Sequence, residues 1–249
     1  MRKFWIGMAL TGLIVASAAA GAWAAGGTRK NIEVEYRNIK ISVDGKTVDA
    51  GETEPFIYVA QGRTYVPARP LAEALGAKVG WDEASSTVQV YTANYVKATT
   101  DGEYKVWSMP AQGFAIRAPR GFVQMELGAA TLQLALPNPA TGNNSIVAVT
   151  QSDAPSDGST LAQRMDAIIA GLTQTFLPGA KVTSAAETGN QRTVEGTTSL
   201  FGQGSAAFTL RLVATAKGDW LILTLAPGEI QSQMAPVMKE IMGSFTLTE

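Results

Sequence analysis

Cysteine and histidine are both missing from the 249 residues of this chain. Without cysteine there is no disulfide framework, no thiolate nucleophile and no cysteine metal knuckle. Without histidine a Ser-His-Asp triad, an imidazole-bound copper or zinc, and any imidazole acid–base step are excluded. Charge is sparse as well. Lys and Arg total 20 against 21 Asp and Glu, for a formal net charge of −1. That balance offers no basic footprint for nucleic acid. What remains is a chain that is 46% hydrophobic and 16% charged, the composition of a globular protein.

The N-terminus reads as an export signal. Arg2 and Lys3 precede an apolar run from Phe4, and Ala22-Trp23-Ala24 supplies small residues where a signal peptidase cuts. The competing reading is a retained membrane anchor, but the Ala- and Gly-rich run is only weakly hydrophobic. Residues 1–24 are therefore expected to be a signal peptide cleaved after Ala24. Cleavage removes two of the 20 basic residues and none of the 21 acidic ones, shifting the net charge from −1 to −3. An exported chain without cysteine suits a bacterial envelope, with no stable membrane span once the signal is gone.

Residues 31–92 form one compositional unit. Ile39, Ile41 and Val43 alternate before Asp44-Gly45, a strong hairpin signal. "PFIYVAQGRTYVPAR" repeats the pattern, with Gln61-Gly62 as the turn and Arg63 to Val66 returning. Pro70 opens a short helix with an apolar stripe of Leu71, Ala72 and Leu75, and Gly76 ends it. "AKVGWD" and "TVQVY" form a closing hairpin about the turn residues Glu83 to Ser86. The expectation is a small antiparallel sheet clamped by one helix. Residues 93–106 have no clear period and are read as a linker.

The unit from 107 to 249 reads as a second domain. "GFAIRAP" alternates Phe114, Ile116 and Ala118; "ATLQLAL" and "SIVAVTQ" are strands joined by the breaker-rich "PNPATGNN". Leu161, Met165, Ile168, Leu172 and Phe176 fall at helical spacing behind a Thr160–Gln163 capping box, and Pro178-Gly179 closes the helix. Strands follow around 191–201, 206–215 and 220–225. A last helix runs from about Glu229 to Met242, broken or restarted at Pro236. The order implies α+β, an antiparallel sheet covered by helices.

Gly62-Arg63-Thr64-Tyr65-Val66-Pro67-x-Arg69, Leu71 through Ala77 and Trp81-Asp82, with Val43-Asp44-Gly45, Pro55 and Val79, carry a specific likeness. The segment resembles the N-terminal domain of copper amine oxidases, which also occurs as an isolated stalk module in exported bacterial proteins. Ala68 stands where a larger apolar residue is usual. The resemblance implies a fold and an exported setting. Oxidase chemistry belongs to a separate domain with three histidine ligands, so amine oxidation is not implied. More weakly, "GFAIRAPRGF", the helix that follows and "IMGSFTL" resemble the PsbP-like α/β/α sandwich, whose members are mainly binding or assembly modules.

Each candidate site has a plainer reading beside it. Arg69 and Glu73, four apart on the helix, suit an anion site or a structural pair. Arg63 and Tyr65 share a strand face and with Trp81 suit a glycan or peptide patch, or the edge of a small core. Gly62, Thr64, Pro67 and Gly76 are read as structural. "FGQGS" (201–205) has a G-x-G but no following helix to hold a phosphate, so it reads as a hairpin turn. "DAPSDGS" (153–159) lacks the alternating Asp spacing of a calcium loop, and Asp157 or Ser159 can cap the next helix. Met165, Met234, Met238 and Met242 suit a sticky groove or, better, core stripes. Asn143-Asn144-Ser145 matches a glycosylation sequon that a bacterial protein rarely uses. Glu126, Glu187 and Glu195 are the scattered carboxylates a glycosidase would need. No catalytic, cofactor-binding or metal-ligating set is expected. The leading expectation is an exported, non-enzymatic envelope protein whose partner is an envelope protein or cell-wall component, not nucleic acid. The alternatives are a carboxylate-dependent hydrolase of wall polymer and a structural surface or spore-coat component.

Overall fold

A computed structural model describes residues 29–125, 132–153, 155, 157–199 and 204–248; the signal segment lies outside them. The chain divides into two compact units, one ending at Leu71 and one starting at Ala72.

In the first unit, β1 (Val34–Glu35), β4 (Phe56–Tyr58) and β5 (Arg63–Tyr65) form a three-stranded antiparallel sheet. Between them β2 (Ile41–Val43) and β3 (Lys46–Val48) make a separate hairpin. Its turn is the expected one: Asp44 and Gly45 both have positive φ, 50° and 79°, which twists the strands into register. Phe56 and Tyr65 are cross-strand partners whose rings stack at 5.5 Å.

Helix α1 (Ala68–Ala74) crosses the division between the units. It ends as predicted at Gly76, whose φ is 74°. Gly76 N–H bonds to Glu73 O at 2.9 Å and Ala77 N–H to Ala72 O at 2.9 Å, the paired bonds of a Schellman motif. Ala72 is buried, but Leu75 is 65% exposed and does not join the apolar stripe assigned to it.

The second unit starts with the hairpin of β6 (Lys78–Asp82) and β7 (Thr87–Tyr91). The segment read as a linker then proves to hold β8 (Lys97–Asp101) and the start of β9 (Tyr104–Met109), paired antiparallel around Gly102. All five residues of β8 are exposed, so no apolar alternation marks it in the sequence. With β10 (Phe114–Pro119) and β18 (Thr246–Leu247) these strands make a four-stranded sheet ordered β18-β10-β9-β8.

The larger sheet has seven antiparallel strands. They are β11 (Val123–Gln124), β12 (Leu132–Leu136), β13 (Ser145–Ser152), β14 (Lys181–Thr188), β15 (Gln191–Ser199), β16 (Ser205–Thr215) and β17 (Gly218–Pro227). Their spatial order is β11-β12-β13-β17-β16-β15-β14. β14 is an edge strand beyond those expected from the sequence; all eight of its residues are exposed, and its register with β15 shifts between Val182 and Ser184. The hairpin expected at "FGQGS" is consistent with the pairing of Ser199 with Ser205, although 201–203 lie outside the described residues.

Each face of this sheet carries its own core. On one side Phe208, Leu210, Leu212, Leu223 and Leu225 pack under α2 (Leu161–Thr175) through Leu161 and Met165. On the other, Val147, Val149, Trp220 and Ile222 meet Phe114 and Ile116 of the smaller sheet and Met234, Met238, Ile241 and Met242 of α3 (Gln231–Gly243). The methionines are core stripes. Pro236 does not interrupt α3, which is continuous across it. The architecture is α+β, as expected.

The capping box of α2 is present in both directions. Thr160 Oγ1 accepts from Gln163 N–H at 3.2 Å, and Thr160 N–H donates to Gln163 Oε1 at 2.9 Å. Thr160→Ala is expected to lower stability by about 1 kcal/mol, because the hydroxyl satisfies a helix-terminal N–H. Urea unfolding measures it, and an unchanged midpoint would contradict the assignment.

Candidate functional site

The two-residue period of β16 separates its faces. Leu210 and Leu212 point to α2, while Ala207, Thr209 and Arg211 point to the opposite side. The register carries that second face across the sheet: Thr193 and Ile222 flank Arg211, and Glu195 and Thr224 flank Thr209. α3 covers it only in part. Between α3 and strands β14 to β17 runs an open groove of about 820 Å³.

Its two walls differ in chemistry. The strands contribute Thr188, Gln191, Thr193, Glu195, Thr209 and Arg211. The helix side contributes Ala235, Pro236, Met238 and Met242, with Lys239 among them. Arg211 is fixed at the junction. Its Nη1 donates to Met242 O at 2.8 Å, and its Nε donates to Gln191 Oε1 at 3.1 Å, with Nη2 on the same oxygen. Glu195, the one carboxylate among the described lining residues, instead accepts from Ser184 Oγ at 3.1 Å.

α3 is held at its other flank by a charged cluster. Tyr104 OH donates to Glu240 Oε2 at 2.6 Å, a bond that raises the Tyr104 pKa. Arg117 lies over the Tyr104 ring at 4.0 Å and reaches Asp101 at 3.7 Å. Ser244 Oγ accepts from Arg117 N–H at 2.9 Å and donates to Ile241 O at 2.7 Å. The helix is thus anchored to the smaller sheet while its groove side stays open.

The motif residues lie elsewhere. Gly62, with φ 61°, closes a 3-10 turn over Val59–Gln61. Arg63, Thr64 and Tyr65 lie on β5, opposite Tyr58, Ile57 and Phe56. Pro67 immediately precedes α1, and Arg69 and Glu73 are on it. Trp81, on β6, is 55% exposed, and its Nε1 donates to Glu83. That exposure accords with the surface-patch alternative and not with a place in a core. Trp81 lies on the same side of the hairpin as Val88 and Val90, which are 55% and 53% exposed, so this side is open among the described residues.

The remaining candidates resolve locally. Asp157 accepts from Ser159 N–H at 2.9 Å, and its hydrogen bonds to Ser159 lower its pKa. No group of three metal-binding side chains occurs among the described residues. Asn143 Nδ2 donates to Glu229 Oε1 at 3.1 Å. Glu187 pairs with Arg192 at 3.2 Å on the α2 side of the sheet, whereas Glu195 faces the groove. Those two carboxylates project from opposite faces and cannot flank one glycosidic bond; Glu126 lies outside the described residues. No described helix is long and apolar enough to cross a membrane.

The family model "Copper amine oxidase N-terminal domain" matches residues 42–110, from β2 through β9. The chain thus contains a segment similar to that domain, and the rest of the chain lies outside the match. No curated protein matches it in sequence. Solved structures similar to the chain include the Ran-binding protein Mog1p of Saccharomyces cerevisiae, at 12% identity and a TM-score of 0.43, covering 62% of this chain and 96% of that one. Cyanobacterial PsbP (CyanoP) from Synechocystis is similar at 12% identity and a TM-score of 0.40, over 62% and 93%. LpqN, involved in cell envelope biogenesis of Mycobacterium tuberculosis, is similar at 16% identity and a TM-score of 0.40, over 62% and 91%.

Proposed function

We propose that this chain is an exported, non-enzymatic envelope protein that binds an envelope ligand or partner in the groove between α3 and strands β14 to β17. In this reading residues 1–24 are removed on export, and residues 31–92 act as a stalk or docking module.

The observation that carries the proposal is the groove: about 820 Å³, open, and walled by hydroxyl and amide groups on one side and aliphatic and thioether groups on the other. A volume of this order is that of a small-molecule or side-chain binding cleft. Its polar groups are side chains without the paired carboxylates or histidine that hydrolysis would use. The export signal supplies the compartment.

The test places a photo-crosslinking residue in the chain from residue 25, at Thr193 in the groove or at exposed Asp166 on α2. Labelling in envelope extract should be confined to position 193 and be lost when Ala235→Trp obstructs the groove. Equal labelling from both positions, or labelling indifferent to Ala235→Trp, would overturn the reading.

A further inference from the structure

Resting on that reading, we propose that Arg211 is the anchor of a carboxylate subsite, and that the groove takes a linear aliphatic molecule ending in a carboxylate. Three observations converge on Arg211. It is only half-buried, yet its partners are neutral oxygens: Gln191 Oε1 and Met242 O. Those contacts use three of the five guanidinium N–H groups, leaving two for a ligand. No carboxylate pairs with it among the described residues, and the groove's own acid, Glu195, is bonded to Ser184 at the sheet edge.

The end of α3 offsets only part of this charge. Met242 O belongs to the last turn, where the aligned peptide dipoles amount to about half a negative charge. Lys239, one turn earlier on α3, also lines the groove, so the lining holds two cations and one already engaged anion. With Gln191 on Nε and Nη2 and a carbonyl on Nη1, each terminal nitrogen keeps one N–H, a pair of donors that a carboxylate can accept.

The rest of the ligand follows from the helix wall. From Gln231 to Gly243 the lining of α3 runs about 18 Å at the helical rise per residue, which favours a linear occupant. Ala235 and Pro236 make that wall aliphatic, and the core residues Met238 and Met242 on α3 and Ala226 on β17 form the apolar floor beneath it. Thr188, Thr193 and Thr209 opposite add methyl groups as well as hydroxyls. No second carboxylate or phosphate site is called for.

Calorimetric titration of the chain from residue 25 tests this with decanoate, 1-decanol and decyltrimethylammonium as probes. Decanoate is expected to bind at least tenfold more tightly than either. Arg211→Gln should remove that preference while leaving decanol binding unchanged, which shows the groove intact, and Arg211→Lys should restore part of it. Equal binding of the three probes, or an unchanged preference for decanoate in Arg211→Gln, would overturn the proposal. Groove-confined crosslinking without decanoate binding would do the same while leaving the broader binding function standing; failure of both would remove that function too.

Discussion

Arg164→Met is expected to destabilise the chain by about 3–5 kcal/mol, the loss typical when one partner of a buried ion pair is removed. Asp219 opens β17 next to Gly218, and its side chain is only 5% exposed. Arg164 reaches it from the second turn of α2, with Nη1 at 2.7 Å from one carboxylate oxygen and 2.6 Å from the other. The pair therefore fastens the helix to the sheet, and among the described residues Arg164 is the ion-pair partner of Asp219. Without the guanidinium, the carboxylate stays buried with its charge uncompensated. Chemical denaturation measures the effect, and the double variant Arg164→Met with Asp219→Leu should recover much of the loss, because it removes the orphaned charge. A single-variant loss below about 1 kcal/mol would show that water reaches Asp219 and that the pair behaves as a surface one.

Phe114→Ala is expected to cost about 3–5 kcal/mol, the range for removing a large buried aromatic side chain. Phe114 is fully buried, with its ring centroid 4.9 Å from that of Trp220 and 5.8 Å from that of Phe245. Those three rings join β10 of the smaller sheet, β17 of the larger one and the chain just after α3. The cavity would open where all three meet, so both sheets should lose stability together. Calorimetry should show one transition for residues 97–248 displaced to lower temperature. A separate transition that leaves the seven-stranded sheet unaffected would show that this core is not shared.

Local signals were the legible part of the fold. Asp44-Gly45 required left-handed backbone at both turn positions, Thr160–Gln163 spelled out a reciprocal cap, and Gly76 could close a helix that a residue with a Cβ would strain. Each of these is decided within a few residues. β8 and β14 were missed for one physical reason: strands exposed on both faces carry no alternation of apolar and polar side chains. Trp81 stayed open between a surface patch and a core edge because its surroundings are set by what packs over the hairpin, which a short motif does not specify. The groove was out of reach as a whole. Gln191, Arg211 and Met242 come together only once β15, β16 and α3 are stacked, and no spacing in the chain relates them. One clue was available: in "FTLRLVA" the alternation sets Thr209 and Arg211 against Phe208, Leu210 and Leu212, marking a polar side to an otherwise core strand.

The register shift in β14 bears on solubility. An uncovered edge strand offers a row of free N–H and C=O groups to any extended chain that meets it, and eight residues would be a long template. The shift between Val182 and Ser184 breaks that row, with Thr183 Oγ1 turned back to Glu195 O at 3.2 Å. What stays regular is Ser184 to Thr188, roughly 17 Å of strand, ending beside the charge of Glu187. A neighbouring molecule can match that short ladder but cannot extend it along the whole edge, so at high concentration the fold limits its own growth into stacked sheets.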